Sequence, residues 1–172
     1  MQQVNEMSFS LRSLTPTDVL SAKDIFQLAF PVTKTLEFSN AWKERVKYSS
    51  LGAFTKEGDL VGFVLCDIGG YKYRSTKIQF IAVHPMFQGK GVGDLLLNEV
   101  ISLETEEHRT ILLTPILNDK VWYWYHKKDF YVTKTSPAVG GGTFYLMTRH
   151  SYPTRSKGRY AKFQIPRDMR NS

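Results

Sequence analysis

Between Gln88 and Gly93 the chain carries three glycines in six residues, QGKGVG, with an apolar segment on either side. Before it, Ile78, Phe80, Ala82 and Val83 form a short β-branched and aromatic run that ends at Pro85, as in a buried strand. After it, Leu95, Leu96, Leu97, Val100 and Ile101 recur at helical spacing, and Leu103 extends the run. A strand, a glycine turn and a helix in succession leave the first helical N–H groups unpaired at the positive end of the helix dipole. Glycines let the backbone turn tightly and approach a ligand, so the product is a phosphate or pyrophosphate site. A glycine-rich turn that binds nothing satisfies the same spacing. Two familiar phosphate loops fit poorly. The P-loop needs a hydroxyl after its lysine, and here Gly91 follows Lys90. The dinucleotide loop needs G-x-G-x-x-G, and here the spacing is G-x-G-x-G, mid-chain after hairpins.

The 172 residues suit one domain with a sizeable core, and 42% hydrophobic with 23% charged residues is ordinary for a globular chain. No apolar run reaches the roughly 18 residues of a spanning helix, so no membrane contact is expected. Cys66 is the one cysteine, which excludes an internal disulfide and a cysteine-based zinc cluster; no metal is expected. With no apolar leader segment at the start, the expected location is cytoplasmic. The net charge of +7 is concentrated at the end, where Arg149 and the residues after it carry +6. That divides the chain into a domain over residues 1–150 and a basic extension over 151–172.

In chain order, Ser8 to Leu14 reads as a strand, and Thr15-Pro16-Thr17-Asp18 as a helix start with Asp18 returning a capping bond. The helix runs from Val19 to near Phe30, before Pro31. A second helix is expected from Leu36 to Tyr48, with Glu37, Trp42, Glu44 and Arg45 lining a substrate mouth or facing water. LGAF and LVGFVLCDI form a hairpin about Lys56 to Asp59. TILLT from Thr110 is a short buried strand. Asn118 caps a helix reaching about Lys128, and Asp129 takes the left-handed position after it. Phe130 to Thr135 and Thr143 to Thr148 are the last strands. This order predicts a mixed α+β single domain, a mostly antiparallel sheet of six to seven strands flanked by about four helices.

Gln88, Gly91 and Gly93 also fit Q/R-x-x-G-x-G/A, and with the preceding FIAVHP this stretch resembles the coenzyme A signature of the GNAT superfamily of acyl-CoA-dependent N-acyltransferases. A second pattern of that family, N-x-x-A/V-x-x-x-Y-x-x-x-G-F, is similar to Asn118, Val121, Tyr125, Asp129 and Phe130, with the glycine changed to Asp129. The resemblance implies an acetyltransferase that takes acetyl-CoA as co-substrate and uses no metal. It implies that Ile81, Ala82 and Val83 bond the pantetheine arm through their main chain, and that Gln88, Gly89, Lys90, Gly91, Val92, Gly93 and Asp94 hold the pyrophosphate. Asn118 helps hold coenzyme A, and a main-chain N–H near Val83 polarises the acetyl carbonyl. Tyr125 is the acid that protonates the leaving thiolate; its ordinary pKa of about 10 is not far above a thiol's, about 8.5. Aromatic packing is the other reading of Tyr125.

The general base departs from the family pattern. Histone-modifying members place a glutamate where Lys77 stands here, and ribosomal-protein N-terminal acetylases place one in the stretch that reads LLTPI. Glu37, Asp67, His84 or a chain of waters remain as candidates. The missing carboxylate argues against taking a histone or ribosomal acceptor from the motif. The acceptor is an amine: a small molecule such as a polyamine, a protein lysine or an N-terminus. The alternative is a catalytically weak coenzyme A- or nucleic-acid-binding module, its basic tail gripping a polyanion with Tyr152, Tyr160 and Phe163 interleaved. Nothing in the sequence decides between a monomer and a homodimer.

Overall fold

The computed structural model of the chain describes residues 8–30, 32–44, 50–68, 75–104, 109–114, 119–137 and 141–149. Among the described residues are seven strands, mostly antiparallel, and four α-helices, a mixed α+β fold. They run β1 (Ser10–Ser13), α1 (Val19–Ala29), α2 (Thr35–Glu44), β2 (Leu51–Phe54), β3 (Leu60–Ile68), β4 (Ser75–Val83), α3 (Val92–Ser102), β5 (Arg109–Thr114), α4 (Asp119–His126), β6 (Phe130–Pro137) and β7 (Thr143–Arg149). That is the succession expected from the sequence. Two compact units share it, Met1–Ile68 with Ile78–Leu103, and Gly69–Lys77 with Glu104–Ser172.

In the first unit the strands lie in the order β1-β2-β3-β4. The His84 N–H donates to the Val61 carbonyl at 2.8 Å, and Gln79 Nε2 donates to Asp67 Oδ2 at 3.2 Å. The start of β3 therefore faces the end of β4, and the pair is antiparallel. The entry to α1 is a 3-10 turn, Pro16–Asp18, ahead of the α-helix itself. The Thr15 N–H donates to the Asp18 carboxylate at 2.7 Å, and Arg12 grips the same carboxylate through both terminal nitrogens at 2.8 and 3.0 Å. Arg12 and the Thr15 donors together hold the Asp18 carboxyl down at about 2. The helix stops where Phe30 turns extended (φ −129°, ψ 151°), as a residue before proline is driven to do.

Helix α1 buries Ala22, Ile25 and Phe26, and α2 buries Phe38 and Trp42. Phe26 packs on Phe38 at 4.6 Å and edge-on to Phe80 of β4 at 5.3 Å, so both helices lie on the even-numbered face of β4. Trp42 departs from the sequence reading of a residue that lines a mouth or faces water: it is a core residue stacked on Phe38 at 5.9 Å. Helix periodicity alone does not reveal which side of α2 is covered. Residues 45–49, the expected end of α2, lie outside the described residues. On the other face of β3, α3 approaches Gly62 closely. A Cβ there would stand 2.9 Å from Val92 Cγ1 and 3.0 Å from the Ala82 carbonyl oxygen. Gly62 thus sets how near the first turn of α3 sits to the strand.

In the second unit β7 lies between β5 and β6, antiparallel to both, so Met147 pairs with Leu112 on one side and Val132 on the other. Phe130 and Met147 are fully buried. Arg149 ends β7 inside a network. Its Nη1 donates to Glu104 Oε2, its Nε donates to the Lys128 carbonyl at 2.8 Å, and Glu104 Oε1 accepts the Thr110 N–H at 2.8 Å. Arg149 is thereby a structural ion-pair partner and not the first charge of a loose tail. Asp129 has φ +64°, the left-handed conformation expected of it after α4.

Candidate functional site

Strand β4 ends at Val83, and the chain turns through a single 3-10 turn, Pro85–Phe87, before the glycines. The turn is pinned from several sides. His84 Nδ1 accepts the Met86 N–H at 3.2 Å, and the His84 carbonyl accepts the Phe87 N–H at 2.8 Å. Gln88 Nε2 reaches back to the Val83 carbonyl at 3.2 Å, tying the loop to the end of the strand. Gly89 (φ +74°) and Gly91 (φ +83°) then adopt left-handed conformations that a side chain would strain. Nothing lies within 4 Å of the place where a Cβ would stand on either, so conformation and open space, not crowding, account for these glycines.

Gly91 is the N-cap of α3 and offers no side chain to satisfy the helix start. The turn of helix closes with the Leu95 N–H on the Gly91 carbonyl at 2.9 Å. By helix geometry, the N–H groups of Val92, Gly93 and Asp94 precede that first donor and have no carbonyl to meet within the helix. The positive end of this 11-residue helix favours an anion at that point. Lys90, exposed in the loop, adds a cation and lies with Nζ 5.2 Å from the centre of the Phe87 ring. The structure therefore brings Val83, Gln88, Gly89, Lys90, Gly91, Val92, Gly93 and Asp94 together around one helix start. Ile81 and Ala82 lie just upstream on β4; the Ala82 side chain is buried in the core, which leaves its main chain as its means of contact.

Tyr125 stands on α4 in the second unit, 6% exposed, edge-on to Phe130 at 5.5 Å and against Trp124 at 4.7 Å. Burial pushes its hydroxyl up from the ordinary phenol range, so the group stays protonated through neutral pH. Asn118 lies outside the described residues. Of the base candidates, Glu37 is exposed on α2 and paired with Lys34 at 2.7 Å. Asp67 accepts from Gln79. His84 has one ring nitrogen engaged as an acceptor; the neutral ring then carries its proton on the other and offers no lone pair there. Gly62, which seats α3, is not singled out by the sequence reading; a lone glycine inside an apolar strand was the available clue. Among the described residues no three His, Cys, Asp or Glu side chains cluster as a metal site, and no helix is long and apolar enough to cross a membrane.

Several solved structures share the fold. Ard1 from Thermoplasma volcanium superposes with a TM-score of 0.65 at 25% identity, over 82% of this chain and 96% of that one. Naa50 of Arabidopsis thaliana, in complex with the bisubstrate analogue CoA-Ac-MVNAL, gives 0.70 at 19% identity over 83% and 99%. The ribosomal-protein-S18-alanine N-acetyltransferase of Escherichia coli gives 0.66 at 22% over 83% and 93%. No curated protein sequence matches the chain. The family model described as acetyltransferase (GNAT) family matches residues 19–133, from α1 to β6. With that match across the glycine loop and α4, the chain belongs to the GNAT acetyltransferase family.

Proposed function

We propose that the chain transfers the acetyl group of acetyl-CoA to an amine, and that its preferred acceptor is the α-amine of a polypeptide. The observation that carries the cofactor reading is the start of α3, where the N-cap Gly91 brings no side chain and open space surrounds the left-handed Gly89 and Gly91. The pyrophosphate of coenzyme A sits there, with Lys90 beside it. The pantetheine arm runs along Ile81 to Val83, and the family pattern that includes Asn118 assigns that residue to holding coenzyme A. The amine attacks the thioester carbonyl, whose developing oxyanion is held by a main-chain N–H near Val83. The C–N bond forms, the C–S bond breaks, and the amine proton passes to water. Tyr125 donates a hydrogen bond to the departing sulfur. Its raised pKa makes full proton transfer to a thiolate of pKa about 8.5 uphill by more than about 2 kcal/mol, so solvent completes the protonation.

The acceptor reading rests on the one family carboxylate that Lys77 replaces. Lys77 stands where a carboxylate would be needed, and a protonated lysine removes no proton from an ammonium ion. The amine must then arrive as its free base. At pH 7.5 an α-amine of pKa about 7.7–8.0 is roughly a third neutral, whereas a lysine amine of pKa about 10.4 is about one part in a thousand neutral. That difference of roughly 200-fold favours N-termini over lysines and polyamines. The bisubstrate analogue in the Arabidopsis neighbour, coenzyme A joined to a peptide, supports the same class.

Acetyl-CoA is expected to raise the melting temperature of the chain, and Gly91→Val to abolish the rise by straining the loop. No rise in the unaltered chain would remove the cofactor reading. A rise without turnover on any peptide, polyamine or lysine acceptor would leave a binding module in place of an enzyme.

A further inference from the structure

Charge divides unevenly between the two units. The sequence of the first holds eight basic and ten acidic residues, net −2; that of the second holds fifteen and six, net +9. Exposed large apolar side chains divide the other way. Leu20, Leu28, Val32, Leu36 and Met86 belong to the first unit; among the described residues of the second, Tyr123 is the one that is so exposed, at 55%.

Tyr123 stands on the outer face of α4 between two lysines. Lys120, Tyr123 and Lys127 fall at i, i+3 and i+7, and all three are exposed. The Lys127 N–H still donates to the Tyr123 carbonyl at 3.0 Å, so helical spacing holds through Lys127 and the two lysines are about 10 Å apart along the axis. Lys127 Nζ lies 4.5 Å from the centre of the Tyr123 ring. A cation at the C-terminal end of a helix is favoured by the dipole, which accounts for Lys127. Lys120 is in the first turn, where the dipole disfavours it, so helix stability does not account for Lys120.

We propose that this face of α4 binds single-stranded RNA, with Tyr123 stacking on an unpaired base and Lys120 and Lys127 contacting the flanking phosphates. Cations that bracket a lone exposed aromatic ring suit a strand whose bases are free to stack. A duplex hides its bases, and cellular DNA is mostly duplex. A lipid surface calls for exposed aliphatic side chains beside the lysines, and the described residues of this unit expose none of the large ones. The Arg149 bond to the Lys128 carbonyl brings the end of β7 to the C-terminal end of α4. From residue 150 onward the sequence adds Arg155, Lys157, Arg159, Lys162, Arg167 and Arg170 against Asp168. This inference stands apart from the acetyl-transfer reading.

The test is fluorescence anisotropy of the full chain with a labelled, unstructured RNA of about 12 nucleotides, a length within the range such surfaces cover. Binding is expected at about 50 mM salt and should weaken at least about tenfold at about 200 mM. The double change Lys120→Gln, Lys127→Gln should weaken it about tenfold, and Tyr123→Ala about fivefold or more, while Tyr123→Phe keeps it. The melting temperatures and the acetyl-CoA shift should not move in any of these variants. Absence of binding at the lower salt would overturn the proposal. So would binding that ignores the α4 changes, equal affinity for duplex RNA, or tighter association with vesicles containing anionic lipid.

Discussion

Arg149→Met should be strongly destabilising, because it strands a buried charge as well as removing an ion pair. Glu104 has only 5% of its side chain exposed and Arg149 has 16%, so water cannot replace the guanidinium. Removing it leaves a carboxylate buried without its counter-charge, and the Lys128 carbonyl without its side-chain donor. Breaking a buried pair in this way costs about 3–5 kcal/mol. For a chain of this size that lowers the melting temperature by about 6–20 °C. Adding Glu104→Gln to Arg149→Met removes the stranded charge, and the amide oxygen can still accept the Thr110 N–H. The double variant should therefore be less damaged than Arg149→Met alone, with a loss of about 1–3 kcal/mol. Urea unfolding followed by circular dichroism, with the slope checked for constancy, measures both. A double variant as unstable as the sum of the two single ones, or an Arg149→Met loss below about 1 kcal/mol, would refute the buried-pair account.

Gly62→Ala should force α3 away from β3, since its Cβ meets the Ala82 backbone and Val92; a loss of about 1–3 kcal/mol with weaker acetyl-CoA binding is expected, read by urea unfolding and titration calorimetry. Asp129→Gly should stabilise by about 0.5–1 kcal/mol, because φ +64° strains a residue with a Cβ; a lower melting temperature would contradict this. The Asp18 carboxyl is lowered to about 2, so its pairing stabilises the fold above the unfolded pKa and is lost as pH falls through the folded value. Asp18→Asn should thus lower stability at pH 7 by about 1 kcal/mol, reduced by the solvent around Arg12, and should flatten the loss between pH 4 and 2 in a pH series of melts. Tyr125→Phe should reduce kcat about 10- to 100-fold with acetyl-CoA affinity kept; an unchanged kcat would leave Tyr125 a packing residue.

Local signals were legible in the sequence and distant pairings were not. The glycine loop could be read because a strand run, three glycines and a helix run are contiguous, and Asp129 because a helix end needs a left-handed residue at a fixed offset. The position of β7 between β5 and β6 depends on which strands meet, which no local pattern states. Glu104 and Arg149 are 45 residues apart, and Arg149 read as one more charge in a basic tail. Trp42 read as lining a mouth or facing water, because the polar residues of α2 do not mark its covered side; its burial depends on Phe38, against which it stacks. Gln88 stood out as a motif residue, but its bond to the Val83 carbonyl needed the turn itself.

The most direct measurement is the rate of coenzyme A release from acetyl-CoA with one peptide supplied in two forms, its N-terminus free or already blocked, and a lysine in both. The account predicts release with the free form that rises with pH through the α-amine pKa of about 7.7–8.0 and levels near about pH 9, and roughly 200-fold less with the blocked form at pH 7.5. Equal release from the two forms would contradict the assignment of the α-amine as acceptor, and no release from either would contradict acetyl transfer to polypeptides.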